Sequence, residues 1–188
     1  MSNLSTFFPA PTSSNILEKL AFQCTGDSMT NSFDNTITSE NVTSLQSGQT
    51  TTFTKINGSQ IAYTPPAEAT RVIYEFRVQI AWHTGTHIIG HMQCYIGSTP
   101  VTRAYHTSGG YYREDEVIMT NVIRIGSGLS DSDANATYSS WTSDKTLSVR
   151  GRGYSTSNYW YNYHNTHYSN GGGTDKFCGP KLIITAIK

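Results

Sequence analysis

An all-β domain, a jelly-roll β-sandwich preceded by an extended arm and one short helix, is the fold this sequence predicts. Three observations carry the expectation. Charged residues make up only 14% of the chain, and Ser, Thr, Asn, Gly and twelve Tyr stand where helical proteins place Glu, Lys and Ala. The stretch RVIYEFRVQIAW, residues 71–82, alternates Val72, Tyr74, Phe76, Val78, Ile80 and Trp82 with Arg71, Glu75, Arg77 and Gln79. That period of two is the pattern of a strand with one face in a core. Short apolar runs then recur between connectors such as GSGLSDSDANATYSS and YSNGGGTDKF, at intervals suited to a sandwich.

A chain of 188 residues suits one domain with a substantial core. Lys plus Arg and Asp plus Glu both number 13, so the net charge is zero. A nucleic-acid partner is therefore not expected, because no excess of cations exists to neutralise phosphates. Low net charge also reduces solubility, which suits a protein working inside an assembly. No apolar run has the length of a membrane span, and the N-terminal segment lacks a charged signal region, so neither membrane insertion nor secretion is expected. Cys24, Cys94 and Cys178 are an odd set without metal-knuckle spacing and read as buried free thiols.

Residues 1–14, rich in Pro, Ser and Thr, read as an arm. In the following SSNILEKLAFQ, Ser14 or Asn15 can cap, Glu18 stands at capping-box distance, and Ile16, Leu17, Leu20 and Ala21 form a stripe. A short helix is expected there, making residues 1–27 an anchor or lid and 28–188 the β-sandwich domain. Strands follow in TTTFTKI, in GSQIAYTPP (stopped by Pro65 and Pro66) and in RVIYEFRVQIAW. IIGHMQCYI comes next, with Ile88, Met92, Cys94 and Ile96 on one face, then EDEVIMTNVIRI, KTLSVRGRGY and KLIITAIK. About eight strands in all fit the sandwich. The neighbouring acids Glu114, Asp115 and Glu116 read as a solvated turn; adjacent strand residues would point to opposite faces and make a poor acid–base pair. The last strand is apolar on both sides, Leu182, Ile184 and Ala186 against Ile183 and Ile187. An antiparallel sandwich strand normally keeps one wet face, so a second protomer is the expected cover. Leu182, Ile183, Ile184, Ile187 and His91 are the candidate oligomer-interface residues.

The segments NILEKLAFQCTGDSMT, GSQIAYTPPAEATRVIYEFRVQI, SSWTSDKTLSVRGRGY and KLIITAI resemble virion appendage proteins of marine bacteriophages, especially those infecting cyanobacteria. IAYTPP running into RVIYEF is also similar to the jelly-roll heads of phage fibre proteins. The resemblance spans residues 15–187 and rests on β-sandwich phrases. It implies a topology like that of tumour necrosis factor, a homotrimer with the terminal strand near the threefold axis, and a place on the virion. It carries no catalytic motif and implies no cofactor.

Two constellations could carry chemistry. WHTGTHIIGH places His83, His87 and His91 four residues apart, the spacing at which a helix presents two imidazoles to one metal. Flanking strands and the turn TGT instead predict a β-hairpin with His83 and His87 as cross-strand neighbours and Gln79 facing His91. His91 would lie roughly 13 Å along the strand from His87, too far for metal–nitrogen bonds of about 2 Å to join all three. A polar sheet face is the expected outcome, with His83 and His87 as weak metal candidates. The second constellation, YSTSNYWYNYHNTHY, gathers Tyr159, Trp160, Tyr161, Tyr163 and His164 with Asn162 and nearby Arg152. Aromatic planes flanked by amides and imidazoles suit stacking on sugar C–H faces and bonding to hydroxyls. The same rings equally serve a core and a protomer interface.

DSDAN, residues 131–135, imitates a calcium loop but lacks the Gly at position six and the Glu at position twelve of an EF-hand. No HExxH, Ser-His-Asp arrangement, P-loop or dinucleotide fingerprint occurs, so an enzyme is not expected. The expected function is host attachment by multivalent weak contacts from an external knob, fibre head or capsid decoration. The arm would meet other virion proteins and the distal loops a host-surface glycan. The alternatives are a carbohydrate-binding module using residues 154–168 and a purely structural decoration or adaptor.

Overall fold

The computed structural model describes residues 15–44, 46–48, 51–81, 88–110, 114–154, 161–164 and 179–188. Among them are fourteen strands and no helix. In chain order they are β1 (Ile16–Phe22), β2 (Ser28–Thr30), β3 (Thr36–Thr38), β4 (Gln46–Gly48), β5 (Thr54–Lys55), β6 (Ile61–Tyr63) and β7 (Arg71–Ala81). Then follow β8 (Ile88–Ile96), β9 (Thr99–Gly110), β10 (Glu114–Ile125), β11 (Thr137–Tyr138), β12 (Lys145–Gly153), β13 (Tyr161–His164) and β14 (Lys181–Ile187). One sheet runs β1-β14-β7-β10-β11, with β13 bridging β7 and β4. A second runs β5-β12-β8-β9, with β6 also on β12, and β2 and β3 form a separate hairpin.

Strand alternation builds the core. On β7, Val72, Tyr74, Phe76, Val78 and Ile80 are each 2% exposed or less, while Ile73, Glu75, Arg77 and Gln79 between them are half-buried. The same cluster takes Leu182 and Ile184 from β14 and Val117, Met119 and Ile123 from β10. The other sheet adds Met92, Cys94 and Ile96 from β8 and Leu147 and Val149 from β12. Two sheets thus share one core, as the layers of a β-sandwich do. Each large side chain buried there contributes roughly 1.5–3 kcal/mol.

The expected N-terminal helix is a strand. On β1, Glu18, Leu20 and Phe22 are buried and Lys19 and Ala21 exposed, a period of two rather than a helical stripe. β1 pairs along β14, from Ile16 opposite Ile187 to Phe22 opposite Leu182, so the backbone groups at the edge of β14 are satisfied by a strand. Glu18 is not a capping residue. The residue is 9% exposed, and its carboxylate accepts from the Tyr63 hydroxyl at 2.6 Å and the Ser32 N–H at 2.5 Å.

The expected β7–β8 hairpin is also overturned. A strand has two edges, and those of β7 are taken by β10 on one side and by β14 and then β13 on the other. β8 lies in the second sheet between β12 and β9. Gln79 therefore pairs with Glu116 and His164, not with His91. Residues 114–116, expected as a turn, already belong to β10 and face Ala81, Ile80 and Gln79.

Candidate functional site

The outer face of the second sheet gathers aromatic rings, two guanidiniums and an imidazole. Inward positions of its strands go to the core, so the alternate residues project outward: Arg150 and Arg152 on β12, His91 and Gln93 on β8, Tyr105 and Thr107 on β9. Antiparallel register sets them in two rows, Arg152–His91–Thr107 and Arg150–Gln93–Tyr105. Phe53, just before β5, and Tyr95 on β8 complete the surface. Tyr95 is only 7% exposed yet stands outside the inter-sheet core, because Arg150 and Phe53 cover it.

The groups hold one another. The Arg150 guanidinium lies 4.2 Å from the Tyr95 ring centre and that of Arg152 lies 4.9 Å from Phe53. Contacts of this kind contribute about 0.5–1 kcal/mol each at exposed sites. Phe53 meets Tyr95 at 6.1 Å and, edge to face, Tyr105 at 6.4 Å. His91 stands 5.6 Å from Tyr105 and 6.4 Å from Tyr154 between ring centres. Its Nδ1 is 2.5 Å from the Tyr105 hydroxyl and 3.1 Å from that of Thr107. Burial, and then the charge of Arg152, hold the imidazole pKa below its usual value, so the ring is neutral at neutral pH.

Among the described residues no ion pair cancels the positive charge of this face. Arg150 Nη2 donates to Gly97 O at 3.0 Å and Arg152 Nη1 to Thr51 O at 3.4 Å, while Arg152 Nε is buried without a hydrogen-bond partner. The ion pairs of the described residues are Lys55–Glu40, Arg77–Glu75 and Lys188–Glu68, and none involves Arg150 or Arg152. His91 here sits between hydroxyls and a cation rather than beside a carboxylate. The arrangement suits binding: flat rings, fixed hydrogen-bond groups and two planar cations.

The sequence-expected residues fall in different places. Arg152 lies in this face, and His91, expected at a protomer interface, is its cross-strand neighbour. Tyr161, Asn162, Tyr163 and His164 form β13, a strand of the other sheet rather than a loop. His83, His87, Tyr159 and Trp160 lie outside the described residues, as do the arm and Cys178. Leu182 and Ile184 are spent in the protomer's own core, at 1% and 0% exposure, whereas Ile183 and Ile187 are on the outer face of the first sheet. Phe53, Tyr95, Tyr105 and Thr107 were not singled out from the sequence. The one available signal was the outward set His91, Gln93 and Tyr95 opposite Met92 and Cys94.

Two other regions are relevant. The outer face of the first sheet is mixed: Ile118 and Val122 of β10 and Ile16 of β1 are about half exposed and are joined by Ile73, Ile183 and Ile187, with the Glu75–Arg77 ion pair and Lys181 set among them. A cavity of about 680 Å³ opens between the β2–β3 hairpin, β6 and residues 141–144. Phe33, Ile37 and Trp141 line it with Thr64, which donates to Asp144 at 2.6 Å, and no Lys or Arg reaches it.

Among the described residues no group of three or more His, Cys, Asp or Glu is arranged to hold a metal. Within the calcium-like stretch, Asp131 accepts from Ser139 N–H and hydroxyl, and Asp133 from the Tyr138 hydroxyl. Cys24 and Cys94 are buried free thiols, and burial pushes both pKa values up to about 12, which keeps them protonated and unreactive. No family model matches the chain, and no curated protein does.

Proposed function

We propose that this chain is a non-enzymatic bacteriophage virion protein whose sandwich, a jelly roll, attaches the particle to host-surface glycan. The observation that carries the reading is the outer face of the second sheet. There His91, Tyr105 and Thr107 form a hydrogen-bonded group beside two arginines stacked on Tyr95 and Phe53. Rings and fixed polar groups on a rigid sheet are the materials of sugar recognition. On the outer face of the first sheet, Ile183 and Ile187 with Ile73, Ile118 and Val122 support assembly into a homotrimer, since exposed apolar side chains rimmed by polar ones mark contact between proteins. Copies held together multiply weak contacts through effective concentration. The N-terminal arm would join the assembly to other virion proteins.

Antibody labelling of particles combined with an adsorption assay tests this. Label should decorate the virion surface, and particles carrying Tyr105→Ala with Arg152→Ala should adsorb poorly while the isolated variant still unfolds cooperatively. Unlabelled particles, or adsorption equal to that of the parent, would sink the attachment role. Normal adsorption of labelled particles would leave a purely structural decoration.

A further inference from the structure

We propose that the outer face of the β5-β12-β8-β9 sheet selects acidic polysaccharides, binding uronate carboxylates or sulfate esters through Arg150 and Arg152. The inference deepens the glycan-attachment reading and rests on it. Arg150 and Arg152 are two residues apart on β12, so they project from the same face roughly 6–7 Å apart along the strand. Each is laid over an aromatic ring, which fixes the guanidinium plane without neutralising it. Each also donates to one backbone carbonyl, Gly97 O or Thr51 O, and a carbonyl does not cancel a charge. A guanidinium has five donors in a rigid fork that matches carboxylate and sulfate oxygens. Among the described residues most of those donors therefore have no acceptor, Arg152 Nε being the buried one.

The neighbouring groups favour the same ligand. Glu40, the acid that reaches β5, is held by Lys55 Nζ at 2.8 Å and by Gly58 N–H at 2.9 Å, and is not offered to the arginines. Tyr105, 44% exposed and braced by His91 and Phe53, presents a ring for the apolar side of a sugar. A neutral sugar covering the face would desolvate two cations without pairing them, an unfavourable exchange. Nucleic acid shares the charge and the taste for stacking. Yet the chain carries no net positive charge and this face offers two stacked arginines rather than a basic stripe.

Affinity electrophoresis of the full chain through gels containing alginate, chondroitin sulfate or dextran tests the inference, with a single-stranded oligonucleotide as a fourth probe. The chain should be retarded by the two acidic polymers and not by dextran. Arg150→Gln with Arg152→Gln should weaken the acidic interaction about tenfold or more, the scale of losing charge-assisted hydrogen bonds. Because that variant uncovers Phe53 and Tyr95, retardation of the unmodified chain is also measured as salt rises to about 0.5 M, where screening should abolish it. Salt-independent retardation overturns the inference. Equal retardation by dextran overturns the acidic preference and leaves the glycan reading standing, whereas no retardation by any polysaccharide overturns both. An oligonucleotide bound as tightly as alginate overturns the inference in favour of unselective polyanion binding.

Discussion

The two sheets present outer faces of different make-up from the same strand alternation. On the first, the outward positions of β10, β7 and β14 hold Val122, Ile73 and Thr185, then Thr120, Glu75 and Ile183, then Ile118, Arg77 and Lys181, so branched aliphatics alternate with a Glu75–Arg77 ion pair. On the second they hold Arg150, Gln93 and Tyr105, then Arg152, His91 and Thr107. Both inner faces supply the same core, so burial alone does not distinguish them. What differs is the cost of contact with water. Branched aliphatics gain from any dry cover, which suits a second protein surface. Stacked arginines and hydrogen-bonded rings are already satisfied in part and gain only from a ligand that supplies matching acceptors. Under the proposal above, the first face serves assembly and the second recognition, and the register is what separates the two sets of side chains.

The comparison can be broken at several depths. The largest effect belongs to the inner side of β14. Ile184→Ala should cost about 2–5 kcal/mol in urea unfolding, since the residue is fully buried between the sheets. Ile183→Ser, one position away on the outer side, should cost roughly 1 kcal/mol or less but lower the mass seen by light scattering. A variant that unfolds like Ile184→Ala, or that keeps the parent mass, would remove the assembly side from the account. On the second face, Arg152→Ala should destabilise by about 1 kcal/mol through the lost stack on Phe53, measured by thermal unfolding. The smallest effect is in pH. The folded His91 pKa lies below the unfolded value of 6.5, so the unfolded chain takes up the proton first. The histidine's contribution is thus complete above about pH 6.5 and is lost as pH falls through that value toward the depressed folded one. His91→Gln should flatten that part of the stability profile; an unchanged profile would show that the imidazole is not held neutral.

Much of the fold was legible in the residues because alternation is a local signal. β7 and β14 follow the pattern of their apolar positions, and β12 falls within the expected strand KTLSVRGRGY. β9 was not legible, since its inward residues Val101 and Ala104 are three apart across a register shift opposite Gln93 and Tyr95. At β1 a capping-box signature competed with a weaker alternation. Glu18 decided it, because a buried carboxylate with two donors looks in sequence like an exposed cap. The turn-like TGT implied a hairpin, but pairing was settled by strands remote in sequence that had already claimed both edges of β7. The site suffered likewise. His91 and Arg152 were each picked out, for different roles, and only the register between β8 and β12 brings them together with Tyr105.

The most direct test is a residue-resolved nuclear magnetic resonance titration of the labelled chain with an alginate oligosaccharide. The account predicts shifts concentrated at Phe53, His91, Tyr105, Arg150 and Arg152, with Ile73, Ile118 and Val122 unmoved. Shifts centred on the Phe33–Trp141 cavity, on the outer face of the first sheet, or absent throughout would contradict it.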